Sequence, residues 1–476
     1  MKKNTFYITT PIYYPNAQPH VGQAYTTLLC DVMTRCHRLM GDEVYFLTGT
    51  DENTEKVVRA AEKEGKEPSE YMQGIVETFK DLYKNLGIEY SQFIRTSDEI
   101  IHWPGAIEMW KRLQERGDIY KGEYHGLYCV GCEEFKTEKD LIDGKCPIHG
   151  TEPERLSEEN YFFRLSSYTP RIKEIIEDGS LLILPSFRKQ EILSLLERGL
   201  EDISFSRPAG NVMWGIPVPG DPTQKMYVWM DALTNYITAL GFGRGEEDMR
   251  FWPGTHVVGK DILRFHAAIW PAMLLSAGLP LPQAIVVHGM IISDGKKMSK
   301  SLGNVIDPNE MISRYGVEAT RYLLLRHVNT FEDSDITWER LDEWYEADLV
   351  NGLGNLVARI LTLSEKYLNR NIEKIEPSEG MWDELGKTYR IDRFLEYTWS
   401  LIQGLDRSIT KDEPFKVAKK DPENGAKMIA ELIEGVGGLR FIAFALQPFM
   451  PDTSEKILKA IKENKKPDNL FPRLDV

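Results

Sequence analysis

Phe6-Tyr7-Ile8-Thr9-Thr10, a loop of Pro, Asn and Gly from Pro11 to Gly22, residues 23–40 closed by Gly41, and then Glu43-Val44-Tyr45-Phe46-Leu47-Thr48-Gly49: this opening stretch decides the fold. The first and last runs are short, apolar and rich in β-branched and aromatic residues, which predicts buried strands. Residues 23–40 carry apolar side chains at helical spacing, with glycine as the stop. Strand, glycine-bearing loop, helix and strand begin a nucleotide-binding α/β fold. The glycines do not follow GxGxxG, so the dinucleotide fingerprint is absent.

Downstream, residues 117–225 change character. They mix charges, short apolar runs and a Cys/His cluster, and read as an insertion into the first fold. Apolar strands resume in Met226-Tyr227-Val228-Trp229, Thr255-His256-Val257-Val258-Gly259 and Ala284-Ile285-Val286-Val287-His288-Gly289. Helical patterns lie between them, which implies a parallel sheet. After about residue 345 the strands stop. Three apolar sets recur at helical spacing: Leu353, Leu356, Val357, Ile360, Leu361 and Leu368; Ile391, Phe394, Leu395, Leu401, Ile402 and Leu405; and Met428, Ile429, Leu432, Ile433, Val436 and Leu439. The fold class is therefore α/β, a Rossmann-like parallel-sheet domain with an insertion, followed by an all-α bundle. The expected segments are 1–116, 117–225, 226–345 and 346–476, with a surface loop at 462–469.

With 476 residues, 42% hydrophobic and 28% charged, the chain has ordinary globular composition. A net charge of −15 argues against a protein that coats nucleic acid and confines any RNA contact to patches. The apolar stretches are too short or too interrupted to cross a bilayer. No signal or transit segment is apparent at the N-terminus, so a cytoplasmic location is expected.

Of five cysteines, Cys30 and Cys36 sit inside the first helical pattern and read as core. The others form Cys129-x2-Cys132-x13-Cys146-x2-His149. Two paired knuckles with three thiolates and one imidazole fit tetrahedral Zn²⁺. Four protein ligands leave no open position, so the metal is expected to be structural.

Two loops carry the chemistry. His20 and Gly22 precede a helix N-terminus, where backbone N–H groups attract phosphate. Taken alone, this is equally a helix-capping turn with an incidental histidine. Lys296-Lys297-Met298-Ser299-Lys300-Ser301 places three lysines on a short loop after Asp294-Gly295. Cations there suit a triphosphate whose leaving group gains charge. Taken alone, it is a solvated basic loop.

Together, Lys297-Met298-Ser299-Lys300-Ser301 matches in full the KMSKS signature of class I aminoacyl-tRNA synthetases, and His20-Val21-Gly22-Gln23 resembles their HIGH signature. The chain resembles methionyl-tRNA synthetases over nearly its whole length. The blocks are Tyr14-Pro15-Asn16-Ala17-Gln18-Pro19-His20, Thr48-Gly49-Thr50-Asp51-Glu52, Trp214-Gly215-Ile216-Pro217-Val218-Pro219, Tyr227-Val228-Trp229-Met230-Asp231-Ala232 and Gly259-Lys260-Asp261-Ile262.

The resemblance implies a ligase that activates L-methionine with ATP and Mg²⁺, then transfers it to tRNA(Met). It places methionine against Ile12, Tyr14, Asp51, Trp229, Ala232, Tyr236, Phe265 and His266. Asp51 would bind the ammonium. The rings would contact the thioether, and Tyr236 or His266 would donate weakly to sulfur. Asp261 would bind the ATP ribose, and His20, Gly22, Gln23, Lys297 and Lys300 the triphosphate. The family's zinc knuckle would be Cys129, Cys132, Cys146 and His149, and its anticodon-reading residues Asn355, Arg359 and Phe415.

The departures are Gln23 for the second signature histidine, Asn53-Thr54 where many relatives have His-Gly, and Phe415 for a tryptophan. The insertion is too short for a separate editing domain of the kind valyl, leucyl and isoleucyl enzymes carry. Many bacterial relatives extend past the Leu470–Arg473 region into a dimerisation domain, so a monomer is expected here. Two other readings stay open: a class I synthetase for another apolar amino acid, and a non-catalytic tRNA-binding paralogue, toward which Gln23 leans.

Overall fold

The computed structural model describes residues 4–130, 134–136, 138, 141–147, 150–210, 214–298, 303–368 and 376–474; the side chains of Tyr124, His125, Glu134–Lys136, Val228 and Lys297 are also outside the description. The chain forms two compact units. The first comprises Met1–Pro19, Glu43–Asp81 and Tyr90–His288, the second His20–Asp42, Leu82–Glu89 and Gly289–Val476.

A six-stranded sheet organises the first unit. Its order is Gln92–Arg95, Glu43–Thr50, Thr5–Thr9, Thr255–Gly259, Ala284–His288, Leu182–Leu184. Every neighbouring pair is parallel. Such strands are covered on both faces, which is why 255–259 and 284–288 are near-continuous apolar runs and buried almost throughout. The chain starts at the centre, builds outward on one side, then returns to build the other. Order reverses beside Thr5–Thr9, and ligands of open α/β sheets bind outside the carboxyl ends of the strands at that point.

One expectation about strands needs correction. Met226-Tyr227-Val228-Trp229 is not a strand. A strand ends at Met226, Tyr227 caps in extended conformation, and Val228–Thr238 is a helix. A short apolar run cannot be assigned by periodicity alone; here Met230, Leu233, Tyr236 and Ile237 bury one helical face. Segment 117–225 carries a four-stranded antiparallel sheet built on Ile119–Cys129 and Glu154–Phe163, and Leu182–Leu184 within it joins the edge of the parallel sheet beside Ala284–His288.

The second unit is mostly helical. Helix Val21–Leu39 belongs to it, with a small sheet of Ile291–Ser293, Lys296–Lys297 and Ser334–Asp335. The three apolar sets fall on Asn355–Tyr367, Ile391–Asp412 and Pro422–Glu434. The third set was drawn too long. Its helix ends at Glu434, Val436 is fully exposed, and a new helix runs Leu439–Leu446. Gly435 leaves the helix in extended conformation, and Gly437, at φ 72°, turns the chain toward the next helix.

Candidate active site

Within the first unit, Ile12, Trp229, Tyr236 and Phe265 of the expected amino-acid site share one apolar cluster. Asp51 directly follows strand Glu43–Thr50, is buried, and donates its backbone N–H to Tyr13 O at 2.9 Å. Its neighbour Glu52 is committed to the fold. Glu52 accepts from Thr50 Oγ1 at 2.6 Å, from Arg95 Nε at 2.7 Å and from the Ser97 hydroxyl.

The aromatic wall comes from helix Val228–Thr238 and the turn of π-helix Phe265–Ile269. Trp229 stacks on Phe265 with centroids 3.6 Å apart and planes 10° apart. Its buried Nε1 has no hydrogen-bond partner among the described residues, unusual for a tryptophan donor. Ala232, one turn on, is buried. Ile12 packs on the edge of the same core. Tyr14 lies under Lys56, whose Nζ is 3.6 Å from the ring centroid.

Tyr236 and His266 meet at 2.7 Å between hydroxyl and Nε2, both buried. His266 Nδ1 sits 2.9 Å from Ile262 O. A carbonyl only accepts, so Nδ1 carries the proton and Nε2 accepts from Tyr236. Burial holds the imidazole neutral, lowering its pKa to about 4. As arranged here, the Tyr236 hydroxyl proton and the His266 Nδ1 proton are both engaged within the protein.

Beside Tyr236, with ring centroids 4.2 Å apart, lies His256, which the sequence showed only as a strand residue. Trp270 Nε1 donates to its Nε2 at 3.1 Å, so Nδ1–H donates to Thr9 Oγ1 at 2.8 Å. Burial, and then the neighbouring His266, push its pKa well below the usual histidine value. His102 is also held neutral by burial, at about 3, and pairs with Thr238 Oγ1 at 2.9 Å. Asp261 lies exposed in the short turn Lys260–Ile262 that follows strand Thr255–Gly259. A Cβ at Gly259 would stand 2.7 Å from Asp261 Oδ1, so glycine is what lets this carboxylate fold back over the strand end.

In the second unit, His20 is the N-cap of helix Val21–Leu39. Its Nδ1 accepts from Gly22 N–H at 3.0 Å, and Gln23 Oε1 accepts from His20 N–H at 2.9 Å. This is a reciprocal capping box with histidine in the usual hydroxyl's place. In the neutral ring the proton is then on Nε2. Gln23 is explained as well: its oxygen caps the helix, which leaves its amide N–H₂ as a second donor. A Cβ at Gly22 would come within 2.9 Å of the His20 ring.

The lysine loop grows from a hairpin. Ile291–Ser293 pairs antiparallel with Lys296–Lys297, joined by Asp294 at φ 54° and Gly295 at φ 68°. Two left-handed central residues make a type I′ turn, and Asp-Gly is its sequence signal. Gly295 N–H donates to Asp335 Oδ2 at 3.2 Å. The Lys297 side chain and all of Ser299, Lys300 and Ser301 lie outside the described residues.

Of the expected zinc ligands, Cys129 ends strand Ile119–Cys129 and Cys146 follows a tight turn at Asp143-Gly144; both are buried. Cys146 N–H donates to Thr151 O, and Gly150 N–H to Cys146 O. Cys132 and His149 lie outside the described residues, and among those described no three His, Cys, Asp or Glu gather as a metal site. In the helical region Asn355 is exposed, Arg359 pairs with Asp406, and Phe415 is half-buried near the start of helix Pro414–Lys420.

No helix among the described residues is long and apolar enough to cross a membrane. The parallel sheet, the histidine-capped helix and the lysine hairpin define a class I aminoacyl-tRNA synthetase. The family model for class I tRNA synthetases (M) matches residues 6–155 and 136–361. Methionine–tRNA ligases of Caldanaerobacter subterraneus and Thermotoga maritima are 42% and 40% identical to it, over 100% and 97% of this chain and 80% and 76% of theirs. Methionyl-tRNA synthetase of Mycobacterium tuberculosis in complex with methionyl-adenylate superposes with a TM-score of 0.88 at 34% identity, covering 99% of this chain and 98% of that one. The chain belongs to the methionyl-tRNA synthetase family.

Proposed function

We propose that this chain makes methionyl-tRNA(Met) with the residues identified above, and that each acts through its local geometry. Membership in the family makes it an ATP-dependent ligase. The methionine carboxylate attacks the ATP α-phosphate, the bond to the β-phosphate breaks, and pyrophosphate leaves. A terminal ribose hydroxyl of tRNA(Met) then attacks the methionyl carbonyl, and AMP leaves. No protein nucleophile is required, so the protein's contribution is positioning and charge stabilisation.

Asp51 takes the substrate ammonium, and Ile12, Tyr14, Trp229, Ala232, Tyr236, Phe265 and His266 enclose the side chain. The observation that carries this reading is the neutral aromatic cluster: Trp229 stacks on Phe265 and Tyr236 pairs with an uncharged His266, surroundings that suit an uncharged thioether. His20 Nε2 and the Gln23 amide donate to the triphosphate beside Gly22, Asp261 takes the ribose, and Lys297 and Lys300 neutralise the leaving pyrophosphate. Mg²⁺ accompanies the nucleotide.

Cys129, Cys132, Cys146 and His149 hold one structural Zn²⁺, in keeping with their spacing and with two thiols shielded from solvent. Thiols kept for a metal suit a reducing compartment, the cytoplasm. Segments 1–116 and 226–345 carry the chemistry, 117–225 the knuckle, and 346–476 the anticodon contacts through Asn355, Arg359 and Phe415.

Methionine-dependent ATP–pyrophosphate exchange tests the whole. Exchange with methionine and not the other amino acids is expected. Lys300→Ala should slow adenylate formation far more than it weakens methionine binding, and equal losses would overturn its role. Metal analysis should return one zinc per chain, lost in Cys146→Ser.

A further inference from the structure

Asn53 was a departure that the sequence left unexplained, and the structure gives it work. It is buried, and its carboxamide lies between two acceptors. Nδ2 donates to Asp231 Oδ2 at 2.6 Å and to Thr96 O at 3.0 Å. Rotating the amide would set its oxygen against a carboxylate and a carbonyl, so the partners dictate its orientation. Thr96 is shared: its hydroxyl accepts from Glu52 N–H at 2.7 Å and Asn53 N–H at 3.3 Å, and lies 3.5 Å from Asp51 Oδ1 as donor. Asp231 is fully buried in the first turn of helix Val228–Thr238, between the pocket residues Trp229 and Ala232 and one turn before Tyr236. One side chain therefore joins the segment bearing Asp51 to the helix bearing the aromatic wall.

We propose that Asn53 is a positioning residue for methionine, acting through Asp231 and Thr96 to hold the ammonium-binding carboxylate in register with the wall. The proposal rests on the reading that Asp51 and Trp229 hold methionine. It requires a donor at position 53. Alanine removes the donor. Aspartate sets a carboxylate against Asp231 and the Thr96 carbonyl. Asparagine at 231 then returns a donor to the pair from the other side.

The test measures KM for methionine, KM for ATP and kcat in pyrophosphate exchange, with melting temperatures, for Asn53→Ala, Asn53→Asp, Asn53→Asp/Asp231→Asn, Asn53→His and Asp51→Asn. A buried hydrogen bond to a carboxylate corresponds to about 10- to 100-fold in an equilibrium. Asn53→Ala should raise methionine KM by about that factor and leave ATP KM within about twofold. Asn53→Asp should be worse, and the double variant should recover most of that loss. Asn53→His, with a single donor, should fall between wild type and alanine, and together with Asn53→Ala carries the test if the aspartate variant fails to fold. Equal rises in both KM values, an unchanged methionine KM in Asn53→Ala, or no recovery in the double variant would each overturn the proposal. An impaired Asp51→Asn beside an unaffected Asn53→Ala sinks this proposal alone. An unimpaired Asp51→Asn sinks the pocket reading, and this proposal with it.

Discussion

Around Tyr236 the first unit hides its polar atoms in chains of neutral groups. Tyr236 donates to His266, His266 to a backbone carbonyl, Trp270 to His256, and His256 to a threonine. Around Asp31 the second unit uses ions. Arg321, 1% exposed, donates to Asp31 at 2.7 Å and to the carbonyls of Leu86, Pro448 and Phe449. Arg35 adds a second guanidinium at 2.8 Å, and Glu89 N–H a third donor. The contrast follows the tasks. On the proposed reading the first unit holds an uncharged side chain, which is best lined by rings whose charge state does not change. The histidine-capped helix must be anchored, and a guanidinium with four acceptors fixes several chain segments at once.

The largest test of the contrast is to break the ion cluster. Arg321→Leu leaves a buried carboxylate short of its main partner, and should cost about 3–5 kcal/mol in urea unfolding. A cost under about 1 kcal/mol, as for an exposed pair, would erase the distinction.

Acid should act on the first unit next. His266 has a folded pKa of about 4 against an ordinary 6.5. The unfolded chain therefore binds a proton that the folded chain refuses. Stability is full above about pH 6.5 and falls as the pH drops toward 4, by about 3 kcal/mol for this residue. Comparing urea midpoints at pH 7 and pH 4.5, His266→Asn should lose less than wild type; equal losses would place the acid sensitivity elsewhere.

Tyr236→Phe strips the donor from His266 Nε2 and leaves it buried and unpaired, at about 1–3 kcal/mol, with weaker methionine binding measured by equilibrium dialysis. A neutral result would mean that the ring, not the hydroxyl, is what the pocket needs. The smallest effect sharpens the account of the helix cap. Gln23→Ala removes half of the capping box and should cost about 1 kcal/mol in thermal unfolding. Gln23→His should show whether the donor toward ATP or the cap matters more, through kcat in exchange against melting temperature.

Much of this was legible in the sequence because its signals are local. Thr5–Thr9, Glu43–Thr50 and the helix between them announce themselves by periodicity and a glycine stop. The Asp294-Gly295 hairpin was equally local, and its dipeptide would have predicted it. The misreadings came where local pattern is ambiguous. Four apolar residues at 226–229 suit a strand or a helix, and only the buried face of Val228–Thr238 chooses. Val436 continues a helical period that Gly435 and Gly437 end.

The sequence by itself determined the class of fold, the two signature loops, the family and the cast of candidate residues, because spacing along the chain carries all of these. Only the tertiary structure decided which of them share a network. Asn53 meets Asp231 across 178 positions, and Arg321 meets Asp31 across 290. Proton placement on His266 and His256, and the partners of Glu52 and Asn53, follow from residues distant in sequence. Hydrogen bonds and burial act through space, and no local period records them.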